Sequence, residues 1–123
     1  MLLDTDVMVG FLRGHRPAVA WLTTLPPPIG LPGIVAMELI QGCRNLAEQR
    51  RVEKELNRLT LYWPTAADCQ RAYRDFAAYH LSHHLGLLGA LIAHTAVALN
   101  EPLATVNVKH YGAIVSLLTL QPY

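Results

Sequence analysis

Short apolar runs alternate along this chain with longer stretches in which apolar residues return every three or four positions. Leu2–Leu3 is the first run and ends in Asp4, after which Val7–Arg13 reads as a helical turn that Gly14 stops. Pro17 suits a first helical turn, so a helix is predicted through Trp21 and Leu22, broken by Pro26–Pro28. Ile29–Leu31 is strand-like, and Pro32–Gly33 opens a helix carrying Val35, Glu38 and Leu39. Asn45 with Glu48 three residues on is a capping signal for the segment 46–59, in which Val52, Leu56 and Leu59 share one face. Leu59–Trp63 reads as a strand closed by Pro64. Thr65 with Asp68 then caps a helix through Tyr73, Phe76 and Tyr79 to His83, and Gly86 ends it. A further helix is predicted from Leu88 to Leu99 with Asn100 as its C-terminal cap. Strands Leu103–Thr105 and Val115–Leu120 enclose a loop or short helix at Val108–Gly112.

Short apolar strands separated by helices predict an α/β fold, a three-layer α/β/α sandwich with a short, mainly parallel central sheet, in one domain over residues 1–123. Sites in such sheets form beyond the carboxyl ends of the strands. Asp4 and Asn107 fall just past two such ends.

Composition narrows the partners. With 52% hydrophobic and 15% charged residues, part of the apolar surface is expected to be covered by a partner, since monomers rarely expose large apolar patches. A net charge of +1 argues against a nucleic-acid-wrapping polycation, although a nuclease acting at one local site needs no such field. Cys43 and Cys69 lack a Cys-x-x-Cys spacing and read as small buried hydrophobes in a reducing compartment. The N-terminus has no signal-peptide pattern and no run is long enough to span a membrane, so a cytoplasmic protein is expected.

Glu38 stands among Val35, Ala36, Met37, Leu39 and Ile40, a setting that solvation explains poorly. Taken singly, Asp4 could be a helix cap and Asn107 a turn residue. Taken together, Asp4, Glu38 and Asn107 could converge their oxygens on a hard divalent cation, Mg2+ or Mn2+, which activates water and offsets charge on a scissile phosphate. Asp6 is expected as a helix N-cap or as a supporting partner, with Thr105 as a supporting hydroxyl. Arg13, Lys109 and His110 are candidates to meet substrate phosphates at the mouth of the site. His80, His83 and His84 have a spacing that can bind zinc on one helical face, but no Glu stands beside them, and a solvated helix end with histidines at the C-terminal dipole is the preferred reading.

Four segments in order carry a family resemblance: Leu2-Leu-Asp-Thr-Asp, Met37-Glu-Leu, Ala90-Leu-Ile-Ala, and Thr105-Val-Asn-Val-Lys-His-Tyr. Together they resemble the PIN-domain ribonucleases, and most closely the toxin half of the VapBC toxin–antitoxin pairs. The resemblance implies metal-dependent cleavage of RNA, a homodimer, and a small VapB-like antitoxin that wraps apolar grooves and inserts an arginine near the acids. It matches Asp4, Glu38 and Asn107 to members of the metal site. It also sets Gly89 where the family opens a helix with a fixed aspartate. One carboxylate about 4 Å from a divalent ion is worth roughly 2–8 kcal/mol before desolvation. Even about 2.8 kcal/mol of that is a hundredfold in affinity. Weak Mg2+ or Mn2+ binding and impaired ribonuclease activity are therefore expected, with Gly89→Asp as the restoring change. The alternative is a non-catalytic PIN-fold module that binds an antitoxin or RNA.

Overall fold

In the computed structural model, which describes residues 1–123, the chain runs β1 (Leu2–Leu3), α1 (Thr5–Leu12), α2 (Arg16–Leu22), β2 (Gly30–Pro32), α3 (Gly33–Gln41) and α4 (Leu46–Leu56). It continues through β3 (Thr60–Tyr62), α5 (Ala66–Tyr79), α6 (Leu87–Ala98), β4 (Leu103–Ala104), a 3-10 turn at Val108–Tyr111 and β5 (Thr119–Leu120). The strands form one sheet in the order β3-β2-β1-β4-β5, and every pairing is parallel. Leu2, Leu3, Leu31, Leu103 and Ala104 are buried almost completely. Strands this uniformly apolar need cover on both faces, and the helices supply it as the two outer layers of an α/β/α sandwich.

The order reverses at β1. The chain steps outward to β2 and β3, then crosses back to lay β4 on the other side of β1, with Leu2 opposite Leu103 and Leu3 opposite Ala104. Such a reversal opens a crevice beyond the carboxyl ends of the two neighbours. The Asp4 N–H donates to the Ala104 carbonyl at 2.9 Å and holds the ends of β1 and β4 in register there.

Local chemistry sets the helix limits. Gly14, at φ 75°, follows α1, while His15 N–H bonds the Gly10 carbonyl and Gly14 N–H that of Phe11. Asn100, at φ 53°, does the same after α6, with Glu101 N–H reaching back to Ala96. At the head of α5, Thr65 and Asp68 exchange side-chain-to-backbone bonds, as their spacing predicts. Helix α6 is apolar all round and largely buried, which marks it as a core helix. His94 on that helix bonds Asp75 of α5 at 2.6 Å.

Several boundaries differ from the sequence reading. Helix α1 begins at Thr5, because Asp4 caps it, and ends at Leu12. Helix α4 stops at Leu56, β3 is confined to Thr60–Tyr62, and β4 to Leu103–Ala104. Helix α5 ends at Tyr79, and His84 adopts φ 54°, so the three histidines share no helical face. Instead His80 packs on Phe76 and His83 on Tyr79, and no three His, Cys, Asp or Glu side chains of the chain gather as a metal site. The last strand is Thr119–Leu120 alone, because Val115 is 92% exposed while Ile114 and Leu117 anchor the preceding turn. Cys69 is exposed and Cys43 half-buried, both as free thiols, so neither is the fully buried hydrophobe expected. No helix is long and apolar enough to cross a membrane.

The Thr65 backbone N–H, ahead of its hydroxyl and Arg71, holds the buried Asp68 carboxyl below its ordinary value of 3.8. A carboxyl lowered on folding contributes stability that is complete above its unfolded value and is lost as pH falls through the folded one. Asp68→Asn is expected to lose less stability than the parent on acidification, read as urea midpoints at about pH 5 and about pH 3. Equal losses in both proteins would refute the assignment.

Candidate functional site

The crevice at the reversal of strand order collects polar groups from five segments. Asp4 leaves β1 buried, its Oδ1 accepting the Thr5 N–H at 2.8 Å and its Oδ2 the Tyr111 hydroxyl at 2.9 Å. Asp6, one half-turn into α1, faces across to β4. Its Oδ2 accepts the Thr105 hydroxyl at 3.0 Å and the Val106 N–H at 3.2 Å, while its Oδ1 is buried without a hydrogen-bond partner. Glu38 reaches in from α3, and its Oε1 accepts the Thr5 hydroxyl at 3.0 Å. The 3-10 turn after β4 supplies Tyr111, and α6 brings buried Gly89.

Asp6 is half-buried in this crevice and lies close to the carboxylate of Asp4. Burial, then the Asp4 carboxylate, raises Asp6 above its ordinary value, against the opposing hydrogen bonds of Thr105, Val7 and Val106. Burial, then Asp4, also pushes the Tyr111 phenol far above its ordinary range, with smaller contributions from Asp6 and Glu38. Tyr111 therefore stays protonated and serves as a fixed donor to Asp4.

The sequence-predicted residues divide. Asp4, Asp6, Glu38 and Thr105 meet in the crevice. The cap on α1 is Asp4, however, and not Asp6, because Asp4 is the residue with extended backbone ahead of the first turn. Asn107 is exposed, with its N–H on the Thr105 hydroxyl at 3.1 Å and its carbonyl accepting from the His110 N–H at 3.1 Å. Arg13 and Lys109 are exposed, while His110 is half-buried beside Gly89. Thr5 and Tyr111 were not singled out from the sequence. Thr5 could have been, because a hydroxyl between two carboxylates at a strand end is a ready donor. Tyr111 lies 107 residues from its partner, and no local pattern announces the contact.

A hard divalent cation takes six or more oxygens and draws on carboxylates with free lone pairs. Asp4 has donors on both oxygens, Glu38 has one on Oε1, and no three acidic or imidazole groups converge. The unpartnered Asp6 Oδ1 is the one buried oxygen of the cluster left open. Neutral donors hold these carboxylates, and no ready set of three His, Cys, Asp or Glu side chains is gathered around a cation position.

Known proteins share this architecture. The PIN domain profile matches residues 1–112. Ribonuclease VapC10 of Mycobacterium tuberculosis is 35% identical over 114 residues, which cover 90% of this chain and 85% of that protein. The VapBC2 complex of Rickettsia felis, solved bound to a DNA fragment from its promoter, contains a chain that superposes with TM-score 0.78 at 26% identity, covering 97% of this chain and 96% of that one. A toxin–antitoxin complex from Klebsiella pneumoniae contains another, with TM-score 0.76 at 24% identity, covering 99% and 97%.

Removing the Tyr111 hydroxyl strands a buried carboxylate oxygen. Hydrogen bonds to charged groups contribute about 1.5–3 kcal/mol, so Tyr111→Phe is expected to destabilise the fold by about 2 kcal/mol in urea unfolding. A change below about 0.5 kcal/mol would show that the bond contributes little.

Proposed function

Because the chain belongs to the PIN-domain family and is VapC-like, we propose that it is the toxin half of a VapBC-type pair whose metal-dependent cleavage of RNA is impaired. The ribonuclease reading draws on the 35% identity to a ribonuclease across most of both chains. The antitoxin partner draws on neighbours solved as toxin–antitoxin complexes. Within this reading Asp4, Glu38 and Asn107 are the oxygen-bearing residues of the ancestral site, and Asp6 and Thr105 keep the β1 and β4 ends together. Arg13 and Lys109 carry the exposed cations suited to RNA phosphates, and Mg2+ or Mn2+ binds weakly.

One observation carries the impairment. Gly89 is buried at the first turn of α6, and the space its side chain would enter is taken by His110, 2.8 Å from where a Cβ would stand. No carboxylate reaches the crevice from that helix.

Two surfaces suit the partners. A groove of about 710 Å³ among α1, α3 and α4 is lined by Thr5, Glu38, Arg13, Arg44, Arg51 and Lys54, so it reaches the crevice at Glu38. Its mixed charge suits an antitoxin segment or RNA. A smaller apolar groove of about 280 Å³ between α5 and α6, with exposed Tyr73 and Leu87, suits a homodimer contact. The assembly would act in the cytoplasm. The same His110 contact also favours the second reading, a PIN-fold module that binds an antitoxin or RNA without chemistry.

The test is cleavage of single-stranded RNA with Mg2+ or Mn2+ by the purified chain and by its Glu38→Gln variant. Little or no cleavage is expected, at least about a hundredfold below an intact PIN ribonuclease, corresponding to about 2.8 kcal/mol of lost cation binding. Robust metal-dependent cleavage that disappears in Glu38→Gln would overturn the impairment.

A further inference from the structure

Two glycines stand at the head of α6 and differ in surroundings. A Cβ on Gly86 would meet nothing within 4 Å, whereas one on Gly89 would lie 2.8 Å from His110 Nε2, 3.4 Å from its Cδ2 and 3.8 Å from Tyr111 Cε1. A carbon–nitrogen approach of 2.8 Å is repulsive, so the imidazole and any side chain at position 89 compete for one space. Neither glycine has a left-handed backbone, so conformational need does not account for Gly89. Its neighbour does.

His110 reaches Gly89 from the turn after β4. It lies on the 3-10 turn, its N–H bonds the Asn107 carbonyl, and its ring stands edge-on to Tyr111 at 5.0 Å and 88°. Tyr111 is buried and donates to Asp4. A continuous series of contacts thus runs from the head of α6 through His110 and Tyr111 to the end of β1.

We propose that His110 and Tyr111 form a built-in plug on the carboxylate crevice. The imidazole fills the room an acidic side chain at position 89 needs, and the phenol occupies an oxygen of Asp4. The plug rests on the reading above, in which Gly89 stands at a metal-ligand position. It makes His110 a positioning residue, not a free contact for RNA. It also means that an acid at position 89 does not rebuild the site fully by itself, because the imidazole must first give up that space.

Mn2+ binding, followed by the electron paramagnetic resonance of the free aqueous ion, tests this without any assay of cleavage. The parent, Gly89→Asp, and Gly89→Asp combined with His110→Ala are compared. The double variant is expected to bind at least about tenfold more tightly than Gly89→Asp, a difference of about 1.4 kcal/mol. Equal affinities for the two, both above the parent, would overturn the plug and leave the metal-position reading standing. No gain over the parent in either, with folding intact by circular dichroism, would overturn that reading and the plug with it.

A metal-free measurement covers the case in which the acidic variants fail to fold. Alanine is a better helix former than glycine. Gly89→Ala is therefore expected to raise Tm in a His110→Ala background, and to raise it less, or lower it, when His110 is present. Identical shifts in the two backgrounds would show that no competition exists and would overturn the plug.

Discussion

The lateral pairing of β1 with β4 is the constraint from which the site follows. Each contributes only two residues, yet both are sealed between helices, so the polar groups that end them have nowhere to go except the crevice at their carboxyl ends. Asp4 must sit there because its N–H completes the ladder to Ala104, and Thr105 must sit there because it is the next residue after β4. Helix α1 starts at once, which turns Asp6 back across the same gap. A shift of register by one residue between these strands would separate Asp6 from Thr105 and open the crevice.

What holds the acids in place is a set of neutral donors. None of the ion pairs of the chain involves Asp4, Asp6 or Glu38; hydroxyls and backbone N–H groups take their place. Buried charge is costly without partners, and like charges aggravate it. The strain is concentrated on Asp6, whose carboxyl is raised and whose Oδ1 is unpartnered. Asp4 is better served, with a donor on each oxygen. The Tyr111 hydroxyl that stabilises Asp4 also ties the turn after β4 to the end of β1, so the crevice is held together by the bonds that satisfy its acids.

Much of the fold was legible because its signals are local. Asn45 with Glu48 and Thr65 with Asp68 announced helix starts, Gly14 and Asn100 announced helix ends, and uninterrupted apolar pairs announced buried parallel strands. The failures have a common cause. Helix α5 stops at Tyr79 although nothing in the next residues forbids helix, and Val115 looks strand-like although only Thr119 and Leu120 find a partner strand. Those outcomes are decided by tertiary pairing. At the site, Glu38 was visible as an acid out of place in apolar surroundings and Asp4 as an acid just past the end of a strand. The donors Thr5 and Tyr111, and the approach of His110 to Gly89, depend on residues brought together from different elements, in the case of Tyr111 and Asp4 from opposite ends of the chain.

The sheet has a further consequence at its edges. The outer strands are the three residues Thr60–Tyr62 and the two residues Thr119–Leu120, so few backbone groups are left unpaired along either margin. Long open margins are what let chains add strand to strand into fibres, and short ones deny the template. A chain this rich in apolar residues can therefore carry sticky helix faces, such as that around Tyr73 and Leu87, without offering a route to cross-β growth. Apolar surface of this kind lies in side chains on helices, where shape discriminates one contact from another.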